Sequence, residues 1–569
     1  MPVQPPKSAR QPAGRAAHRR AVLRGSLGLG LAAGAAAFAD RATPSAAAQD
    51  GSPVPQTVSP PAAPAGTVTA ERVALAVDLL PTVAEALLAD SGVPGLAVAV
   101  VHDDAVVFSG GFGVREVGTA EPIDADTVFQ LASVSKSLAA TVVAAVVGEG
   151  TVAWDSRMAD VDPGFALKDP LATRAVTLAD LFSHRSGLPD HAGDILEDLG
   201  FPRDEIIHRL RFLDPAYSFR AGYEYTNFGL TAAAFAAATA AGTSWEELSD
   251  DRLYRPLGME RTSSRFADYM ARDDRAIPHV QRDGRWVVTP MQRDPDPEAP
   301  AGGVSSSVND MARWVRLMLG QGTFGGVELI PAAALAPVHL PQAVSNVPTD
   351  PATQRAGFYG LGTNVSYTDF GKPQWGHSGA FALGAGTAYY LLPAAGFGVV
   401  ALTNGAPVGA AEAFALSVLD LAQLGAVSRD WFAVLQPAFA AILAENDYND
   451  GTDWSSPPAD AVPALPAAAY AGIYRNDVYG DVEVVAEGDG PSAGLVLRIG
   501  PTPLEFPMRH FDRDTFSWQP VGENAYGPSG LSFTVGPDNR ALAFRDEYLA
   551  VDGEGAGLLE RVAVDGDAD

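Results

Sequence analysis

Two strand pairs far apart in the chain limit what it can fold into more than any other feature. "GLAVAVVHDDAVVFSGGFG", Gly95 to Gly113, reads as two strands joined by a tight turn at His102–Asp104. "GTAYYLL" and "FGVVALT" read as a second pair around Pro393–Gly396. Between them, Val134–Val147 has the spacing of a helix with Ser133 at its N-terminus, and a mixed, largely helical middle runs to about Leu319. "AERVALAVDLLPTVAEALLAD" before the first pair is helical with an interruption at Pro81, and residues 408–443, after the later pair, read as helical. Hairpins at both ends of a helical stretch predict an α/β sandwich with an antiparallel sheet. A doubly wound parallel sheet would alternate strand and helix throughout.

A chain of 569 residues is expected to hold two or more domains. Residues 1–48 read as an export signal of the twin-arginine type: Arg19-Arg20 stand before Leu23, a Gly/Ala-rich apolar run follows, and Ala46 and Ala48 fit a signal-peptidase site. The run is short for a membrane span, so export with cleavage and no stable membrane span afterwards is the expectation, with a periplasmic or extracellular destination. Residues 49–68 are Pro/Ala-rich and read as a disordered linker to a domain spanning 69–445. A second linker, 446–466, precedes six short strand-like runs within 467–569, among them "YAGIY", "LVLRI" and "LSFTV". Those runs predict a small all-β barrel or sandwich. The net charge of -29 argues against nucleic acid or an anionic membrane surface as a partner. Cysteine is absent, which removes disulfides, thiolate catalysis and Cys-ligated metals.

Only four of the 39 basic residues are lysine: Lys7, Lys136, Lys168 and Lys372. Lys136 falls in the small-residue run "FQLASVSKSLAA", three positions after Ser133. On a helix that spacing puts both side chains on nearly one face, about 4.5 Å apart in rise. A serine hydroxyl is a weak nucleophile until its proton is removed. Lysine can take that proton if burial lowers its pKa, whereas arginine cannot. The helix N-terminus also aims backbone N–H groups at charge forming near Ser133. The tetrapeptide alone is equally compatible with a lysine snorkelling from a helix.

Two further motifs lie downstream, Tyr225-x-Asn227 in "YEYTNFG" and His377-x-Gly379 in "WGHSGAFALG". Each is weak alone, since Tyr474-x-Asn476 and His191-x-Gly193 match the same patterns in places that read as structural. In order, however, Ser-x-x-Lys, Tyr-x-Asn and His-x-Gly over residues 95–405 resemble the serine hydrolases related to class C β-lactamases and low-molecular-weight penicillin-binding proteins. "LADLFSHRSGLPD", "LYRPLGMERT" and "AGGVSSSVNDMARW" resemble the family too. The resemblance implies that Ser133 is the acylated nucleophile and that Lys136 and Tyr225 share proton transfer. It implies that Asn227 orients substrate and lysine, and that His377 lines the opposite wall of the site. It also implies that the backbone N–H groups of Ser133 and Ala380, beside Gly379, form the oxyanion hole. β-Lactamases of this class generally carry lysine where this chain has His377, so β-lactam hydrolysis is expected to be weak or absent. His-x-Gly resembles D-amino-acid peptidases, D,D-carboxypeptidases and esterases.

"GHSGA" also nearly matches the Gly-x-Ser-x-Gly elbow of α/β-hydrolases, with Ser378 as nucleophile. Only His510 follows it in the chain, and the stretch before Gly376 does not read as a strand. His184 is expected to pack and hydrogen-bond, and the scattered histidines indicate no metal or other cofactor. The C-terminal segment resembles a lipocalin-like β-domain found in some relatives, which implies a part in assembly or access; a stabilising appendage is the alternative. The expected protein is an exported serine hydrolase of small peptides, above all D-amino-acid or cell-wall peptides, or of small esters. The alternatives are an esterase without peptidase activity and a non-catalytic wall-associated binder. A homo-oligomer is compatible with the sequence.

Overall fold

The structure, a computed structural model, describes residues 63–445, 448–449, 451–488, 494–553 and 555–563. The expected signal and most of the first linker lie outside the described residues. The end of that linker is not loose. Arg72 donates to the carbonyls of Ala63, Pro64, Thr67 and Gln423 at 2.6–3.0 Å, fastening residues 63–67 to the body of the protein.

Helix α1 (Ala70–Ser91) leads into β1 (Gly95–His102) and β2 (Ala105–Gly113). The turn between them places Asp103 and Asp104 at φ 48° and 62°, the paired left-handed geometry of a two-residue hairpin loop. Helices α2 (Ser135–Gly148), α3 (Asn227–Ala240) and α4 (Val308–Leu319) follow. Next come β3 (Ala343–Asn346), β4 (Gly357–Tyr359), β5 (Asn364–Tyr367), β6 (Pro373–Phe381), β7 (Ala385–Leu392) and β8 (Phe397–Thr403). Helices α5 (Ala410–Leu424) and α6 (Trp431–Glu445) close this part. The sheet is antiparallel in the order β2-β1-β8-β7-β6-β5-β4-β3, so the two distant hairpins meet where β1 lies beside β8, with Val98 opposite Ala401.

Both sheet faces are covered, and the strand period sorts the side chains between them. Leu96, Val98 and Val100 of β1 pack with α1 and α5, while Ala97, Ala99 and Val101 join the core that holds α2 and α4. Covering of both faces explains why these strands read as continuous apolar runs.

Two expectations need correction, and the helical reading of residues 408–443 is refined. Pro81 does not interrupt α1, because Leu80, Ala84 and Leu87 bury the helix's inner face while Pro81 stays exposed. That burial outweighs the ~3 kcal/mol that an interior proline costs. Residues 408–443 form two helices, since Gly425 adopts φ 81° and ends α5. Pro373–Trp375 are strand, Pro373 being tolerated as the first residue of β6. The elbow reading of Ser378 still fails, because that buried hydroxyl is bonded to Glu412 on α5.

The second body is a closed antiparallel barrel: β9 (Gly472–Asn476), β10 (Gly480–Glu487), β11 (Gly494–Ile499), β12 (Leu504–Asp512), β13 (Thr515–Trp518), β14 (Ser529–Val535), β15 (Ala541–Asp546) and β16 (Leu558–Arg561). Closure removes the free edges an open sheet would expose. Trp454 of the expected linker is anchored on it, donating to Glu547 Oε2 at 2.8 Å. No helix among the described residues is long and apolar enough to cross a membrane.

Candidate active site

Ser133 stands where a strand gives way to a helix. Phe129–Gln130 pair with Ser305–Ser306, and Leu131 N–H donates to Val304 O at 2.8 Å. The chain then turns through Ala132 at φ 47°, a left-handed conformation that costs a non-glycine residue of order 1–3 kcal/mol and collects at functional sites. A short 3-10 turn, Ala132–Val134, presents Ser133 and runs into α2. Strand β6 lies directly alongside. A Cβ on Gly379 would stand 2.3 Å from Leu131 O and Thr387 Oγ1 and 3.1 Å from Ser133 N. Glycine is therefore required for the Gly379–Ala380 backbone to come beside the Ser133 amide. Gly379→Ala is expected to push β6 away and lower kcat by about 100-fold, roughly the effect of a 1 Å misplacement, with the chain still folded by circular dichroism.

Lys136 is fully buried in the first turn of α2. Its Nζ donates to Ser133 Oγ at 3.1 Å, Asn227 Oδ1 at 2.6 Å and Ala301 O at 3.0 Å, and sits 4.5 Å from the Tyr225 ring centre. Burial pushes its pKa down to about 7, a fall tempered by Glu298 and Asp194. The group can therefore exchange a proton near neutral pH. Asn227 opens α3, and its two ends are distinguished: Oδ1 faces the lysine while Nδ2 donates to Asp194 Oδ2 at 2.8 Å. Tyr225 is buried with its hydroxyl making no hydrogen bond, and burial holds the phenol well above its ordinary pKa, partly offset by the nearby Ser133 hydroxyl. His377 is buried between Tyr359, whose hydroxyl is 2.8 Å from Nε2, and its neighbour's carbonyl, Ser378 O, 2.6 Å from Nδ1. Burial and the Lys136 charge push its pKa down to about 3, so His377 is neutral.

All seven residues singled out in the sequence thus converge: Ser133, Lys136, Tyr225 and Asn227 from the helical side, His377, Gly379 and Ala380 from β6. His184 is buried 4.5 Å from the Tyr225 ring and accepts from Thr226 N–H at 3.2 Å, as a packing residue should. His191 is different. Its motif reads as structural in the sequence, yet it lies beside the site, its Nδ1 2.7 Å from Asp194 Oδ2 and its N–H donating to Tyr225 O at 2.7 Å. Tyr474 belongs to the barrel core, where its hydroxyl donates to Tyr470 O.

Sequence reasoning missed the charged ring behind the lysine. Asp194 carries Asn227, and Arg293 pairs with Glu197 and with Glu298 at 2.9 Å. No local spacing marks these residues. Asp194 lies only three residues from His191, and Glu298 just before the family-like "AGGVSSS", but neither falls within a motif of its own.

Residues 80–424 match the family model described as Beta-lactamase, more than half of the chain. The chain belongs to the beta-lactamase family. It is a serine hydrolase of the kind that acts on amide or ester bonds. Residues 456–555 of this beta-lactamase-family hydrolase match a second model, a domain of unknown function (DUF3471). Penicillin-binding protein 4 of Amycolatopsis lactamdurans is 31% identical over 336 residues, 56% of this chain and 83% of that one. Unguisins hydrolase ungD of Aspergillus violaceofuscus is 26% identical over 428 residues, covering 69% and 74% of the two chains. In structure, the octameric penicillin-binding protein homologue from Pyrococcus abyssi superposes with a TM-score of 0.52 at 20% identity, over 85% of this chain and all of that chain, which shows a shared fold.

Proposed function

We propose that this beta-lactamase-family protein is an exported hydrolase working through an acyl-enzyme on Ser133, with D-amino-acid or cell-wall peptides as leading substrates and small esters next. The observation that carries the mechanism is the buried Lys136 amine, 3.1 Å from Ser133 Oγ and with a pKa near 7. Unprotonated Lys136 takes the hydroxyl proton as Ser133 Oγ bonds to the substrate carbonyl carbon. The carbonyl oxygen becomes an oxyanion held by the N–H groups of Ser133 and Ala380. Tyr225, whose phenol burial keeps protonated, passes a proton to the leaving amine or alkoxide as the C–N or C–O bond breaks. Lys136 returns to the Tyr225 phenolate the proton it took from Ser133, which resets both groups. Water then attacks the acyl-enzyme ester, losing a proton to Lys136, which hands it to Ser133 Oγ as the acyl C–O bond breaks and the acid leaves. Asn227 holds the lysine in line throughout.

Substrate class is supported by two things. The relatives include penicillin-binding protein 4 and a D-alanyl-D-alanine-carboxypeptidase/endopeptidase, AmpH, of Escherichia coli. Neutral His377 supplies no permanent charge for the carboxylate of a β-lactam. Assay of the mature chain against p-nitrophenyl acetate, D- and L-alanine p-nitroanilide, a D-Ala-D-Ala peptide and nitrocefin tests this. Ester cleavage, a D-over-L preference and negligible nitrocefin turnover are expected. Nitrocefin as the best substrate, or an L preference, would refute the substrate assignment.

A further inference from the structure

The barrel reaches the active site along three lines. The loop between β13 and β14 carries Glu523, whose carboxylate accepts the N–H of Ala382 and, at 3.3 Å, that of Leu383. Those two residues form the turn that begins two positions after Ala380, at the end of β6. The same carboxylate lies 3.9 Å from Arg293, which also holds Glu197 and Glu298. Arg293 in turn covers the Phe381 ring at 4.4 Å.

The second line runs through Asp198. It accepts the N–H of Glu523 at 2.8 Å, the N–H and side-chain amide of Asn524 at 2.9 Å, and the Tyr548 hydroxyl at 3.1 Å. Gly522 at φ 111° leaves room for this, since a Cβ there would stand 2.2 Å from the Asp198 carboxylate. In the third line, Asp552 of the barrel accepts Gly193 N–H at 3.0 Å. The segment Gly193–Asp198 is thus held at both ends by the barrel, and within it lies Asp194, the partner of Asn227.

An appendage that only added stability would have no reason to place buried carboxylates here, because removing charge from water is costly unless it is paired. We propose that the barrel is a working part of the catalytic unit: Glu523, with the Asp198 it engages, is a positioning residue. It fixes the end of β6 that carries the Ala380 amide and the Asp194–Asn227–Lys136 chain. Glu523 touches no reacting atom; it acts through the backbone of Ala382–Leu383 and through Arg293. This rests on the assignment of Ser133 and Lys136 as nucleophile and base.

The test uses the full chain, with Glu523→Gln and Asp198→Asn beside Glu505→Gln, an exposed barrel carboxylate paired to Arg498, as control. With p-nitrophenyl acetate, Glu523→Gln and Asp198→Asn should each lose roughly 10- to 100-fold in kcat with little change in KM, and the control none. Lys136 should also respond directly. Burial pushes the Glu523 carboxyl up to about 7, so as pH rises through that value Glu523→Gln deprives Arg293 of a developing negative partner, and the Lys136 ammonium beside Arg293 is disfavoured further. Its titration, followed by carbon-13 NMR of labelled lysine, should move to lower pH, a shift that mere loss of folded protein would not produce. Wild-type kcat and an unmoved Lys136 titration in either folded variant would overturn the proposal. So would a kcat loss that equals the loss of folded molecules. An inert wild type would instead refute the hydrolase assignment, while the NMR titration would still report on the coupling.

Discussion

Ser133→Ala is expected to lower kcat on esters and peptides by about four orders of magnitude or more, leaving the fold intact. Ser133 is buried in a turn whose shape is set by its neighbours: Leu131 is held by Val304 and Thr387, and Ala132 carries the unusual φ. Loss of one hydroxyl disturbs none of these. What disappears is the atom that forms the covalent bond, and no other hydroxyl can replace it. Ser135 Oγ accepts from Val304 N–H at 3.0 Å, and Ser378 faces Glu412. Steady-state kinetics beside a thermal melt checks this; activity within tenfold of wild type would remove Ser133 from the mechanism.

Lys136→Arg should be almost as damaging as Lys136→Ala, each costing roughly 10³-fold, in the range of general-base catalysis. Arginine keeps the charge but cannot give up its proton, and its planar fork does not fit three acceptors around one buried point. The wild-type pH profile follows from the same group. Its folded pKa is depressed from 10.5 to about 7, so the basic amine is present above pH 7 and titrates away below it. kcat/KM should therefore rise with pH through about 7 and then level. The sign for stability is the same: between pH 7 and 10.5 the unfolded chain binds the proton that the folded chain has released, so this lysine's contribution to stability improves as pH rises across that window. A Lys136→Arg enzyme with a well-preserved rate, or a flat profile from pH 5 to 9, would refute the base role.

Among the proposed site residues, one was legible because it breaks a local rule, and the others only through the order of their motifs. Lys136 is a lysine in a chain that uses arginine, set in an apolar run, and the ordered motifs around it carry a family resemblance. The central strands were legible as well, since burial on both faces leaves unbroken apolar runs such as "GLAVAVVH". Strands β3 to β5 were not: they are three or four residues long, with no room for a period to show. Helix α1 runs through Pro81 because tertiary burial overrides propensity. The charged ring was invisible for another reason. Asp194, the short segment holding both Arg293 and Glu298, and Glu523 lie far apart in the chain and meet only on folding, and a buried ion pair leaves no trace in the spacing of either partner.

The most direct test of the central claim is to quench the purified protein during turnover of p-nitrophenyl acetate and weigh the intact chain, with Ser133→Ala in parallel. An acetyl adduct on the wild type, mapped to the peptide containing Ser133 and missing from the variant, is the predicted result. Turnover with no adduct at any quench time, or an adduct that persists in Ser133→Ala, would contradict an acyl-enzyme on Ser133.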